Sequence, residues 1–328
     1  MGARARTQRS RRFAAMLAAS MLCCGSATPA AADTGGQEAP AAQAPAPVVG
    51  VRVLRLVDTS RVIHLAHSRT QPRALVTYVR YPALAVPGNT DVSGAPPAVG
   101  PFPLIVFAHG FAVTPATYAR LLDSWARAGF VVAAPVFPRE NARAPGGPDE
   151  SDLVNEPADM SFVISRLLAA SAAPSGPLAG LIDPTRIAVA GQSDGGIAAL
   201  AAAYSRRYAD ARVRAAIVLS GAEMSGVGGY RFPAGTRPLL AIQGTADRSN
   251  EPKFTYAYFK AAQRAKYLLR LLGAGHLPPY TSDQPQLAIV ERVTIAFLDA
   301  YLDGSAPALA SLPALGDVPG VSALTADP

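Results

Sequence analysis

Gly191-Gln192-Ser193-Asp194-Gly195-Gly196 is the stretch on which the fold turns. The apolar run Ile187–Ala190 precedes it and the alanine-rich segment Gly195–Tyr204 follows, so it joins a buried strand to a helix. A serine flanked by glycines two positions away on each side, at such a junction, reads as a G-x-S-x-G nucleophile elbow. The turn is tight and strains the serine backbone, which demands small neighbours. The helix start behind it favours negative charge developing at the serine. Taken alone, the motif also fits a glycine turn of purely structural purpose.

On either side of the elbow the chain alternates strand-like and helix-like segments. Val51–Val57 and Ala74–Tyr81 read as an opening pair of strands, and Pro87–Pro101 as a Gly/Pro-rich loop. Leu104–Ala108 is wholly apolar, as a strand buried on both faces should be. Tyr118, Leu121, Leu122 and Trp125 share one helical face, Gly129 ends that helix, and Phe130–Phe137 is the next buried strand. Met160, Val163, Ile164, Leu167 and Leu168 repeat the helical period. Beyond the elbow, strands are expected at Ala215–Leu219, Leu239–Gln243 and Tyr267–Leu272. Helices are expected near Lys253–Arg264 and over Leu287, Val290, Val293, Phe297 and Tyr301. This alternation implies right-handed βαβ units and an α/β fold with a mostly parallel central sheet flanked by helices. The stretch between Gly221 and Arg237 is too short for a large cap domain. No internal repeat is visible, and the Ala/Pro-rich tail over residues 304–328 carries no usable periodicity.

Of the 328 residues 50% are hydrophobic and 16% charged, which suits a sizeable core and excludes a disordered chain. No apolar stretch reaches the ~20 residues needed to span a bilayer. Residues 1–32 read as a signal peptide: five arginines between Arg4 and Arg12, the apolar run Phe13–Cys24, and Ala30-Ala31-Ala32 as cleavage site. Ser10-Arg11-Arg12-Phe13 is a partial twin-arginine export signal. Ser20-Met21-Leu22 before Cys23 is a poor lipobox, so no stable membrane anchor is expected and the protein should be secreted. Residues 33–48 form a flexible Ala/Pro/Gln-rich lead-in, leaving 49–303 as the catalytic domain. Without the leader's five arginines the formal net charge falls from +7 to +2, which gives no electrostatic case for nucleic acid. Cleavage also removes both cysteines, Cys23 and Cys24, so packing alone must hold the mature fold.

The order of elements, the elbow, Phe107-Ala108-His109-Gly110-Phe111 and the Ala128-Gly129-Phe130-Val131-Val132 turn together resemble the α/β-hydrolases. The similarity runs from about Val51 to Tyr301, and within the family it is greatest to secreted cutinase-like, chlorophyllase-like and acetylhydrolase-like serine esterases. Those proteins usually carry His before the serine, where this chain has Gln192; Asp194 follows it. The resemblance implies that the base comes last in chain order, after the last parallel strand. Of His64, His67, His109 and His276, only His276 stands there. The matching acid is Asp247, which follows the strand Leu239–Gln243; Asp210 and Asp283 end no parallel strand, and a helix-capping role for Asp247 stays open. The resemblance also implies an oxyanion hole from the N–H groups of Phe111 and Asp194, with His109 and Gly110 shaping the first donor's loop. His64 and His67 lack a third ligand, so no metal is expected.

Phe111, Tyr118, Met224 and Tyr230 are candidates to line the substrate site, with ordinary packing an equal reading. The expectation is a monomeric, cofactor-free serine hydrolase that cleaves carboxylic esters, small or polymeric, through an acyl-enzyme, with a cutinase-like polyesterase activity included. An amidase or peptidase of the same fold, or a binding protein that keeps the fold without catalysis, are the alternatives. Asp-nucleophile dehalogenases and epoxide hydrolases, and Cys-dependent dienelactone hydrolases, are argued against by Ser193.

Overall fold

The computed structural model describes residues 48–64, 70–84, 92–235 and 237–328. The expected signal peptide and all of the lead-in but Val48 lie outside the described residues, as does His67.

The β-branched and apolar runs build one ten-stranded sheet. Its strands are β1 (Val48–His64), β2 (Thr70–Ala83), β3 (Val92–Ser93), β4 (Phe102–Ala108) and β5 (Val131–Val136). They continue with β6 (Ile182–Gln192), β7 (Val213–Leu219), β8 (Leu239–Gly244), β9 (Lys266–Leu271) and β10 (Ser322–Asp327). The spatial order is β10-β9-β8-β7-β6-β4-β5-β2-β1-β3. From β5 through β4 to β9 the neighbours are parallel. The antiparallel β1–β2 hairpin extends one side through β5, and antiparallel β10 extends the other.

Among the described residues six α-helices cover the sheet: α1 (Ala119–Arg127), α2 (Glu156–Ala172), α3 (Asp194–Tyr204), α4 (Pro252–Ala261), α5 (Gln286–Leu302) and α6 (Ala306–Gly316). Residues 104–108 of β4 are wholly shielded, because helices pack on both faces of the strand. One face is sealed by Met160, Val163 and Leu167 of α2, Ala199 and Leu200 of α3 and Tyr258 of α4. The other is sealed by Leu121, Leu122 and Trp125 of α1, Val290, Val293 and Phe297 of α5 and Leu312 of α6. Gly129 adopts φ +108°, a conformation open to glycine, and so lets the chain leave α1 directly into β5.

Two regions differ from the sequence expectation. The opening strands run further than Val51–Val57 and Ala74–Tyr81, since β1 carries on through Asp58, Ser60 and Arg61. These polar residues give no apolar signal; Asp58 pairs with Arg73, Ser60 and Arg61 lie where the register shifts, and pairing with β2 resumes at Val62 opposite Pro72. Residues 304–328, expected to be a tail outside the catalytic domain, are structural. Helix α6 packs on α5, and β10 pairs with β9 from Ser322–Leu271 to Asp327–Lys266. Among the described residues no cap interrupts the sheet edge, and the segment 220–238 between β7 and β8 holds no helix.

In a parallel sheet the segments leaving β4, β6, β8 and β9 emerge at the same edge. The crossover through α1 lies on one face and that through α2 on the other, so β4 sits where the winding reverses, the usual place for a site in such sheets.

Candidate active site

Ser193 sits between β6 and α3 with φ 58° and ψ −122°, a strained backbone for a residue bearing a Cβ. Two features hold it there. Its N–H donates to the Leu219 carbonyl of β7 at 2.9 Å, and its carbonyl accepts from Ile197 N–H at 2.9 Å. The flanking glycines are obligatory: a Cβ on Gly191 would overlap the Gly195 carbonyl, and one on Gly195 would overlap the Ala108 carbonyl.

His276 reaches Ser193 from the loop after β9, with Nε2 2.8 Å from Ser193 Oγ. Its Nδ1 lies 2.7 Å from Asp247 Oδ2. The carboxylate can only accept there, so Nδ1 carries the proton and Nε2 is left to accept from the serine hydroxyl. Asp247 is buried and is itself oriented, Oδ1 accepting from the N–H groups of Ser249 at 2.9 Å and Asn250 at 3.0 Å. Burial pushes the Asp247 carboxyl up, but the hydrogen bond and charge of His276, with Ser220 and the Ser249 amide, hold it below the usual carboxylate range. The two loops interlock: Ala246 N–H donates to Ala274 O at 2.9 Å, and Gly273 N–H to Thr245 Oγ1 at 2.8 Å.

The loop after β4 lies against the elbow. A Cβ on Gly110 would come within 2.9 Å of Gln192 Oε1 and 3.1 Å of Ser193 Cβ, so a side chain there would have to displace the Gln192 amide. His109 is fully buried beneath the loop. Its Nε2 accepts from Phe137 N–H at 3.1 Å, which leaves Nδ1–H to donate to Gly110 O at 2.8 Å. Burial lowers the His109 pKa to about 4, so the ring stays neutral and serves as a clamp between the ends of β4 and β5. The Asp194 N–H opens α3 and belongs to the first turn, whose amides a helix leaves unpaired. The Asp194 carboxyl is buried and raised to about 6, first by burial and then by the charge of Glu150.

Of the candidate lining residues, Phe111 is exposed beside the loop, at 40% of its surface. Tyr118 is corrected. It is wholly buried, with its ring packed on Phe107 and its hydroxyl donating to Gln192 Oε1 at 2.7 Å, so it supports the site from beneath and lines nothing. Met224 and Tyr230 bond each other, the Met224 N–H donating to the Tyr230 hydroxyl at 2.8 Å, and Tyr230 stacks on Phe232. Neither shares a hydrogen bond with Ser193 or His276. Among the described residues no three metal-ligating side chains gather, and His64 lies at the end of β1.

Sequence reasoning missed two acids near the site. Glu140 accepts the Ala112 N–H at 2.9 Å through its carbonyl, and Glu156 begins α2. Both side chains are fully buried and face one another. Burial raises Glu140 to about 8 and Glu156 well above the usual range; the charge and hydrogen bond of Glu140 add to the rise of Glu156, while the hydrogen bond of Glu156 holds Glu140 down. Isolated acids carry no spacing signal, so only the fold reveals them.

Residues 80–227 match the family model of the chlorophyllases. That span includes the β4 loop and the elbow but stops short of Asp247 and His276. The chain is also similar in structure to a ferulic acid esterase from Streptomyces cinnamoneus, with a TM-score of 0.61 and 25% identity over 82% of this chain and 93% of that one. No curated protein matches the sequence. The fold is that of the α/β-hydrolases, and the likeness is to ester hydrolases within it.

Proposed function

We propose that this esterase-like α/β-hydrolase is an exported serine esterase working through an acyl-enzyme. The observation that carries the reading is the chain Ser193 Oγ, His276, Asp247, at 2.8 and 2.7 Å. Ser193 attacks the ester carbonyl while its proton passes to His276 Nε2. Asp247 holds the ring and stabilises its cationic form. The N–H groups of Phe111 and Asp194 receive the negative charge that develops on the carbonyl oxygen. His276 returns the proton to the departing alcohol, leaving the acyl group on Ser193. A water then enters, gives a proton to His276 as it attacks the acyl carbon, and the acid is released as His276 passes that proton back to Ser193 Oγ.

Access favours bulky substrates. Among its described residues the segment 220–238 forms no helical cap, and Phe111 offers an exposed ring beside the oxyanion loop. An export signal over residues 1–32 suits substrates too large to import. Esters, including polymeric ones, are therefore the proposed substrates.

The test is hydrolysis of nitrophenyl esters of graded acyl length, beside a polycaprolactone film and the matching nitroanilides. Ester turnover that Ser193→Ala abolishes, with little anilide turnover, supports the esterase. Anilide turnover equal to ester turnover replaces it with an amidase, and no turnover of either overturns the catalytic reading. Absence of soluble products from the film removes the polymer claim alone.

A further inference from the structure

Gln192 precedes the nucleophile and is 1% exposed, so its amide must be satisfied internally. Its Nε2 donates to the backbone carbonyl of His276 at 3.0 Å. Its Oε1 accepts from the Tyr118 hydroxyl at 2.7 Å. That hydroxyl in turn accepts from the Gly110 N–H at 3.3 Å. The orientation of the amide is not interchangeable, because the His276 carbonyl can only accept and must face the NH2 end. The same NH2 lies 3.4 Å from His276 Nε2, so it sits alongside the Ser193–His276 bond.

We propose that Gln192 is a positioning residue that straps the His276 loop to the elbow and, through Tyr118, to the oxyanion loop. This rests on the esterase reading above. The three segments leave three different strands, β4, β6 and β9, and the backbone joins them only through the sheet. The Gln192 amide ties His276 at its own carbonyl, which sets the height of the ring above Ser193. Tyr118 fixes the other end of that amide and pins the residue before the oxyanion donor Phe111. Tyr118 is itself immobile, wholly buried against Phe107 with ring centroids 4.9 Å apart. One buried chain of hydrogen bonds therefore sets the base and one oxyanion donor relative to each other. Such geometry acts on the transition state more than on substrate binding.

Steady-state kinetics of four variants on a nitrophenyl ester test this. Gln192→Leu keeps the volume and loses both bonds, so kcat should fall about tenfold to a hundredfold while KM changes less than threefold. Gln192→Glu keeps the acceptor for Tyr118 but sets a carboxylate against the His276 carbonyl, so it should be at least as slow. Tyr118→Phe should lose a smaller factor, about threefold to tenfold. The double variant Gln192→Leu/Tyr118→Phe should be no slower than Gln192→Leu alone, since one strap is already cut. Labelling of Ser193 by a phosphonate, run on each variant, separates the two claims. If Ser193→Ala stays active in the parent background, the esterase reading fails first. If Ser193 is essential but Gln192→Leu, folded by circular dichroism and near-parental in melting temperature, keeps kcat within twofold, the strap is refuted. Losses in the double variant that multiply also refute it, as does a Gln192→Leu defect confined to KM.

Discussion

The buried pair Glu140 and Glu156 makes the fold sensitive to alkali, and removing it should remove that sensitivity. Both side chains are fully buried, and no carboxylate oxygen of either finds a hydrogen-bond donor beyond the pair. The charges that act on them are all negative: Asp194, Asp152, Glu150 and Asp159. The nearby cations are engaged elsewhere, Arg73 on Asp152 and Asp159 and Arg61 on Asp58 and Asp159. The folded chain thus keeps protons that the unfolded chain releases near the ordinary glutamate value of 4.5. A carboxyl raised in the folded state gives its full stability below the unfolded pKa and loses it as pH climbs to the folded one, about 8 for Glu140. Each retained proton costs about 1.4 kcal/mol per pH unit. Between pH 6.5 and 8 the parent should lose about 2 kcal/mol for one proton, or about 4 for two. Urea denaturation of the parent and of Glu140→Gln/Glu156→Gln, at pH 6.5 and 8, reads this directly. The difference between the two proteins should move by at least about 2 kcal/mol in favour of the double variant as pH rises. An unchanged difference would refute the reasoning, because it would mean that the pair is ionised throughout or is hydrated.

Other perturbations follow from the same contacts. His109→Phe keeps the ring volume but strands the Phe137 N–H and Gly110 carbonyl, and should cost about 2 kcal/mol in urea denaturation at pH 7 while lowering kcat more than it raises KM. Arg73→Met removes the shared partner of Asp152 and Asp159 and leaves Asp159, wholly buried, with Arg61 alone, so it should cost about 3 kcal/mol, seen as a fall in melting temperature. Deleting residues 305–328 uncovers the β9 edge and removes buried Leu312, so the truncated protein should aggregate or elute early on gel filtration where the full chain does not.

Much of the site can be read from local pattern, because its turns impose local chemistry. Of the glycines around Ser193, Gly195 is forced by the Ala108 carbonyl of β4 and Gly191 by the Gly195 carbonyl, and the glycine pattern is written within six residues. Asp247 and His276 each follow a short apolar strand, and strand ends are legible from hydrophobicity alone. Tyr118 shows where this stops. It shares a helical face with Leu121 and Trp125, and its hydroxyl bonds residues far away in the chain, at Gln192. Periodicity announces burial but says nothing of the partner a buried hydroxyl finds. The C-terminal segment fails for another reason. Helix α6 contains Pro313, and β10 alternates only weakly, so both depend on docking against α5 and β9 for their form. Glu140 and Glu156 meet through tertiary structure only.

The central claim is that Ser193 is the activated nucleophile. The most direct measurement is reaction of the purified protein with a fluorophosphonate, followed by peptide mass spectrometry and a matched reaction of His276→Ala. The expected result is stoichiometric modification on the peptide carrying Gly191-Gln192-Ser193-Asp194-Gly195, at Ser193, and labelling slowed by orders of magnitude when His276 is removed. Modification at another serine, or equally fast labelling without His276, would contradict it.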